Sequence, residues 1–345
     1  MTTTARPRQV VVAGAFDNLR AKQIRFLEEA ARLGEVTALL WPDELASRVE
    51  GKAPKFPQAE RAYFLQAIRF VRRVVTVENA ECRMQNAEFE ASLRQPDAWK
   101  SGEFAGHPAP ALKGTLSPSD GERDGVRGPA SIPRPTPIRA RGPGILSLLE
   151  AAAEQVGFQP DLLVVNESQN SEATRADCLA RGIDYRVLRE EDLRGVPEYA
   201  PEQPGSASGR KKVLVTGCYD WVHSGHVRFF EEVSTYGDLY VVVGHDANIR
   251  LLKGPGHPLI PQAERRYVVG SIRHVTQALI ATGDGWVDAD PEVRRLKPDI
   301  YAVNEDGDRG GKREYCATMG IEYLVLKRTP APGLTPRTST DLRGF

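Results

Sequence analysis

The chain has no excess charge of either sign. Its 46 Lys and Arg residues equal its 46 Asp and Glu residues, so nothing draws it toward nucleic acid or an anionic membrane surface. It holds no apolar run near the ~20 residues that a membrane helix needs, and no membrane span is expected. The opening residues, MTTTARPRQVVVAG, lack the apolar segment of a signal peptide and lead into a strand pattern. Cysteine is scarce: Cys82, Cys178, Cys218 and Cys316 make no CxxC spacing. A reduced, cytoplasmic protein is the expectation. With 345 residues, 41% hydrophobic and 27% charged, the composition is that of a globular protein with two domains of ordinary size.

What is present centres on Val213 to Glu232, VLVTGCYDWVHSGHVRFFEE. Val213 to Val215 form an apolar run that ends at Thr216-Gly217, the pattern of a buried strand. Beyond Gly225, Val227, Phe230 and Val233 repeat at helical spacing. The join between strand and helix places His223 and His226 at a helix start. Unpaired N–H groups and a partial positive charge there attract phosphate, and Gly225 lets a ligand approach the backbone. Two capping histidines or a metal pair are the alternatives. A zinc site needs a third protein ligand, which no nearby Cys or His cluster supplies.

The stretch resembles the signature of the cytidylyltransferase-like nucleotidyltransferases, G-x-[FY]-D-x-x-H-x-G-H between a strand and a helix. Gly217, Tyr219, Asp220, His223, Gly225 and His226 fill every fixed place.

The chain also repeats itself. RQVVVAGAFDNLRAKQIRFLEEAARLG, from Arg8, matches KKVLVTGCYDWVHSGHVRFFEEVSTYG, from Lys211, with Gly14 on Gly217, Phe16 on Tyr219 and Asp17 on Asp220. Glu60-Arg61 falls on Glu264-Arg265 at an offset of 204, and PDLLVVNE from Pro160 falls on PDIYAVNE from Pro298 at an offset of 138. The first copy therefore carries about 66 extra residues, between roughly residues 80 and 144. Rich in Pro, Gly, Ser and Arg, that insertion is expected to be disordered. The reading is two tandem Rossmann-like α/β domains, 1–195 and 211–345, joined by a Pro/Gly/Ser linker at 196–210. In the second, strands are expected at Val213–Gly217, Leu239–Gly244, Gln277–Ala281, Asp299–Val303 and Tyr323–Leu326, alternating with helices in a parallel sheet. His274 falls in a helical stretch on this reading. Cys178 and Cys316 align and read as shared core positions.

Comparing the copies sorts the candidate residues. Where the second has His223-Ser224-Gly225-His226, the first has Arg20-Ala21-Lys22-Gln23, so the first reads as degenerate. Asp306 faces Ser168, whereas Asn304 and Glu305 occur in both copies as Asn166 and Glu167. Arg265 also has its counterpart, Arg61, which favours a partly structural role.

The resemblance implies an enzyme that joins a nucleotidyl group, CMP from CTP in preference to AMP from ATP, to a phosphorylated alcohol or sugar and releases pyrophosphate. It implies catalytic His223, His226 and Lys253. Its nucleotide-binding set is Gly217, Cys218, Tyr219, Asp220, Gly225, Arg265, Asp306, Arg328, Thr329, Ser339 and Thr340. The last four belong to KRTPAPGLTPRTSTDLR, which resembles the family's closing R-T-x-G-[IL]-S-[ST]-[ST] segment with a longer gap, where Arg337 is a second arginine for phosphate. Mg²⁺ is expected with the triphosphate, and no metal site of the protein's own. Tandem copies also occur in the ethanolamine-phosphate cytidylyltransferases. The partners implied are the triphosphate and the phosphorylated acceptor, with the two domains paired within the chain and a homodimer left open. A non-catalytic nucleotide-binding regulator is the rival from another class.

Overall fold

The computed structural model describes residues 6–76, 149, 157–198, 208–338 and 342. The insertion expected at about 80–144, Cys82, linker residues 199–207, Ser339 and Thr340 lie outside the described residues.

Each repeat builds one five-stranded parallel sheet. The first contains β1 (Gln9–Gly14), β2 (Glu35–Leu40), β3 (Arg73–Thr76), β4 (Leu162–Asn166) and β5 (Asp184–Leu188), in the order β3-β2-β1-β4-β5. The second contains β6 (Lys212–Gly217), β7 (Asp238–Val243), β8 (Gln277–Ile280), β9 (Ile300–Asn304) and β10 (Glu322–Leu326), in the matching order β10-β9-β6-β7-β8. Val10 to Val12 and Val213 to Val215 are fully buried. Consecutive apolar residues are what a central strand covered on both faces requires. In the second sheet β6 lies between β7 and β9, so the chain leaves it in opposite directions and opens a crevice at the strands' carboxyl ends.

The helices of the first unit are α1 (Ala21–Ala31), α2 (Asp43–Glu50), α3 (Gln58–Ala67) and α4 (Glu172–Ala180). Those of the second are α5 (Ser224–Ser234), α6 (Asp246–Lys253), α7 (Gln262–Gly270), α8 (Asp290–Leu296) and α9 (Lys312–Met319). Lys253 ends helix α6, where Ile249 turns its side chain into the core and His245 caps the first turn. One expectation needs correction. His274 lies in the turn between α7 and β8, not in a helix, since α7 stops at Gly270. Cys178 and Cys316 are both fully buried, and burial pushes both thiols up, as core positions should be.

The two units pack together by a near two-fold relation. α1 lies against α7 and α3 against α5. The contacts come in matched pairs at the repeat offset. Tyr63 donates to Glu231 at 2.7 Å, and Tyr267 donates to Glu28 at 2.7 Å. Arg69 donates through its backbone N–H to Ser271 O at 2.9 Å and through its guanidinium to Ile272 O at 3.1 Å. Arg273 answers with its backbone N–H on Ala67 O at 2.8 Å and its guanidinium on Ile68 O at 3.1 Å. One hydrophobic cluster runs through both units, from Val10 and Phe64 to Val213 and Tyr267.

This pairing predicts matched losses. Tyr63→Phe and Tyr267→Phe each remove one hydrogen bond to a carboxylate at equivalent places, so each should cost about 1 kcal/mol in guanidinium unfolding of the full chain. A loss confined to one variant would contradict the two-fold relation.

Candidate functional site

The loop between β6 and α5 is held from below. Tyr219 has φ of 52°, in the left-handed region, and its counterpart Phe16 has φ of 47°. Gly217 gives the Tyr219 ring its room, for a Cβ there would lie 2.7 Å from Cζ of that ring. The Asp220 carboxylate accepts from the backbone N–H of Leu259 at 2.8 Å and of Ile260 at 2.9 Å. Asp17 accepts in the same way from Lys55 at 2.7 Å and Phe56 at 3.1 Å.

Arg265, 1% exposed, donates to Ile260 O at 2.8 Å, Gly244 O at 2.8 Å and the Asp246 carboxylate at 2.6 Å, and also to Cys218 O. Arg61 holds Phe56 O, Ala15 O, Trp41 O and Asp43 in the first unit. The structure therefore sets Arg265 beneath the loop as a strut, with its donors already committed to the fold.

Above this floor lies a cleft of about 230 Å³. It brings together Gly217, Cys218, Tyr219, Asp220, Gly225, His226, Lys253, Asp306 and Arg328 from the expected set. Thr329 lines an adjoining groove with Arg337 and Thr338, next to Gly225. His223 does not line the cleft. It is 1% exposed and sits at the N-cap of α5, with its ring 4.0 Å from that of His226.

The hydrogen bonds fix both tautomers of the neutral rings. His223 Nδ1 accepts from Gly225 N–H at 3.1 Å, and His226 Nδ1 accepts from His223 N–H at 3.4 Å. Each neutral ring thus carries its proton on Nε2. Burial, with Arg328 and Lys253 nearby, pushes His226 down to about 3. It is a neutral donor beside two cations, a combination suited to an anion that brings its own charge. Gly225 has a second reason to lack a side chain: a Cβ there would lie 3.0 Å from the His223 ring and 3.5 Å from Arg337 O. The Arg328 guanidinium pairs with Asp306 and donates to Arg337 O at 2.8 Å.

His245 is held by the fold. His245 Nδ1 accepts from Asn248 N–H at 3.3 Å, while its Nε2 lies 2.9 Å from Gly283 O. His257 Nδ1 lies 3.9 Å from the Asp220 carboxylate. Among the described residues, no three His, Cys, Asp or Glu side chains converge to hold a metal ion.

The same region of the first unit is built differently. Gln169 stands where Gly307 lines the cleft of the second, and its Nε2 donates to Ala13 O at 2.9 Å. Lys22, in the place of Gly225, is paired with Glu190 at 2.6 Å. Arg20, in the place of His223, lies over the Trp221 ring at 3.7 Å.

Residues 214–323 match the model of the cytidylyltransferase-like family. An FAD synthase of Ferroglobus placidus is 34% identical over 120 residues, covering 34% of this chain and 75% of that protein. The chain belongs to the cytidylyltransferase-like nucleotidyltransferases, a family of enzymes. It is also similar to two proteins named bifunctional protein HldE. That of Syntrophotalea carbinolica is 31% identical over 124 residues, covering 36% of this chain and 24% of that one. That of Geobacter metallireducens is 37% identical over 127 residues, with 36% and 24% covered. The chain thus spans three quarters of the FAD synthase and about a quarter of the HldE proteins.

One charged residue lining the cleft of this nucleotidyltransferase escaped the motif reading. Lys312, at the start of α9, lines the cleft, and burial lowers its ammonium pKa. The internal alignment held the signal, since Thr174 stands opposite Lys312 at the offset that singled out Asp306.

The depressed His226 makes stability depend on pH. Below its ordinary value of 6.5 the unfolded chain takes up a proton that the folded ring refuses until about pH 3. Stability should therefore fall as pH drops through that window, with His274, also lowered by burial, acting in the same sense. His226→Asn keeps an acceptor for His223 N–H. It should flatten the slope by up to about 1.4 kcal/mol per pH unit in guanidinium unfolding between pH 4 and 7. Parallel profiles for the two proteins would contradict a buried neutral imidazole.

Proposed function

We propose that the second unit transfers a nucleotidyl group from a nucleoside triphosphate to a phosphorylated small molecule. An oxygen of the acceptor phosphate attacks the α-phosphorus, the bond to the bridging oxygen of the β-phosphate breaks, and pyrophosphate leaves. One observation carries the reading: His226 presents an Nε2 donor at the N-terminus of α5, in one cleft with Lys253 and Arg328. Phosphoryl and nucleotidyl transfer needs little covalent help. It needs fixed donors and positive charge where the reacting phosphate gathers charge.

The chain's residues divide the work accordingly. His226 donates to the phosphate chain, and His223 holds His226 from below. Lys253 and Arg328 balance the charge of the triphosphate. Asp220 and Arg265 fix the loop that carries the site. Mg²⁺ would enter as part of the triphosphate complex, with phosphate and water as its principal ligands. Of the expected nucleotide-binding residues, Asp306 stands at the cleft beside Asn304 and Gly307, where a ribose or base would lie.

The motif favours CTP. A relative named FAD synthase, whose named product carries an adenylyl group, favours ATP as a second reading. A screen of pyrophosphate release with CTP and ATP against phosphorylated alcohols and sugar phosphates separates the two. Release with neither nucleotide, across the whole panel, would favour a nucleotide-binding regulator. In the productive pair, His223→Ala and His226→Ala should each lower turnover by ~10² or more with the fold retained. Unaltered turnover in folded variants would defeat this assignment.

A further inference from the structure

A buried carboxylate of the first unit crosses the interface to the candidate site. Glu60, in the first turn of α3, is 4% exposed. Its carboxylate accepts from Ser224 Oγ at 2.7 Å. It also accepts from Arg337, through Nε at 3.0 Å and Nη2 at 2.9 Å. Both partners belong to the second unit, and both bear on the phosphate site from different sides. Ser224 is the first residue of α5, between His223 and Gly225, and is itself 5% exposed. Arg337 lies on the closing segment. Its carbonyl oxygen takes the Arg328 guanidinium at 2.8 Å and passes close to Gly225. The Arg337 guanidinium also sits over Phe56, another residue of the first unit, at 5.6 Å. Phe56 is buried with Trp221 of the motif loop and Leu342 near the chain's end.

The opposite direction lacks these features. Glu264 is the counterpart of Glu60, but it meets a repeat with Ala21 where Ser224 stands. The first repeat also has no equivalent of the closing motif. The two-fold relation therefore holds for the packing residues and breaks at this carboxylate. An ion pair that only glued the units together would have no reason to join both halves of one cleft's wall.

We propose that Glu60 is a positioning residue of the second unit's phosphate site, supplied by the unit that has lost its own. It fixes the closing segment through Arg337, and thereby Arg328, and it fixes the start of α5 through Ser224. This rests on the reading of the cleft as a triphosphate site. It also gives the first unit a role beyond covering apolar surface.

The test uses the full chain with Glu60→Gln, which keeps the shape and an acceptor for Ser224 but loses the charge, and Glu60→Asp as the conservative variant. Trypsin cuts after Arg337, which Thr338 follows. In Glu60→Gln that cut should become about tenfold faster, while cleavage within the sheets and the melting temperature stay near the parent's, because only the charge-assisted hydrogen bonds to Arg337 are weakened. KM for the nucleoside triphosphate should rise about tenfold, with kcat changing less, and Glu60→Asp should recover part of both effects. Should Glu60→Gln fail to fold, Arg337→Met, on a segment outside both sheets, should show the same rise in KM. Unchanged trypsin cleavage together with unchanged KM would overturn the proposal. If the parent chain turns over no substrate pair, the functional reading fails by itself. The cleavage rate after Arg337 then still decides whether Glu60 anchors the closing segment.

Discussion

The shared hydrophobic core is the constraint on which the rest of this molecule depends. Neither sheet's helices are covered without the other unit: α1 needs α7, and α3 needs α5. Apolar area buried in this way is the principal source of folding free energy. It also binds the two repeats to one geometry. A unit without the two histidines and the glycine of the second must still keep its strands, its loop conformation and the faces of its helices. This accounts for what the first repeat retains. Phe16 keeps the left-handed φ of Tyr219, Asp17 still ties its loop to Lys55 and Phe56, and Arg61 still braces three carbonyls. Arg20, Lys22 and Gln169 replace His223, Gly225 and Gly307 without disturbing that frame.

The internal repeat makes much of this legible in the sequence. The alternation of apolar runs and helical spacing gives both sheets, and the five strands expected in the second unit fall within one or two residues of those formed. The copies also supply a comparison with physical meaning. Residues common to both, Asp220 with Asp17 and Arg265 with Arg61, are bound into the backbone of the loop. Positions that differ, Asp306 against Ser168 and Lys312 against Thr174, line the cleft. That contrast moves Arg265 from contact residue to strut.

Other features were out of reach for identifiable reasons. Helix α6 is short, and its stretch HDANIRLLKGPGHP ends in Gly and Pro residues that read as a loop. The buried position of His223 depends on a capping geometry that the motif's spacing leaves open. Glu60 lies 164 residues from Ser224 and 277 from Arg337, and no local pattern connects them. Its counterpart Glu264 stands in the other repeat, so comparing the copies does not single it out. Only the two-fold packing shows that one copy of this glutamate meets a serine and an arginine of the other unit.

On the proposed reading, two copies of one fold yield a single phosphate site, in the second unit and leaning on the first. Calorimetric titration of the full chain with CTP and with ATP, each with Mg²⁺, tests it most directly. One triphosphate should bind per chain, and that binding should be lost when His226 and Arg328 are both replaced by alanine. Two triphosphates per chain, or saturable micromolar binding that survives the double replacement, would place a working nucleotide site in the first unit and contradict it.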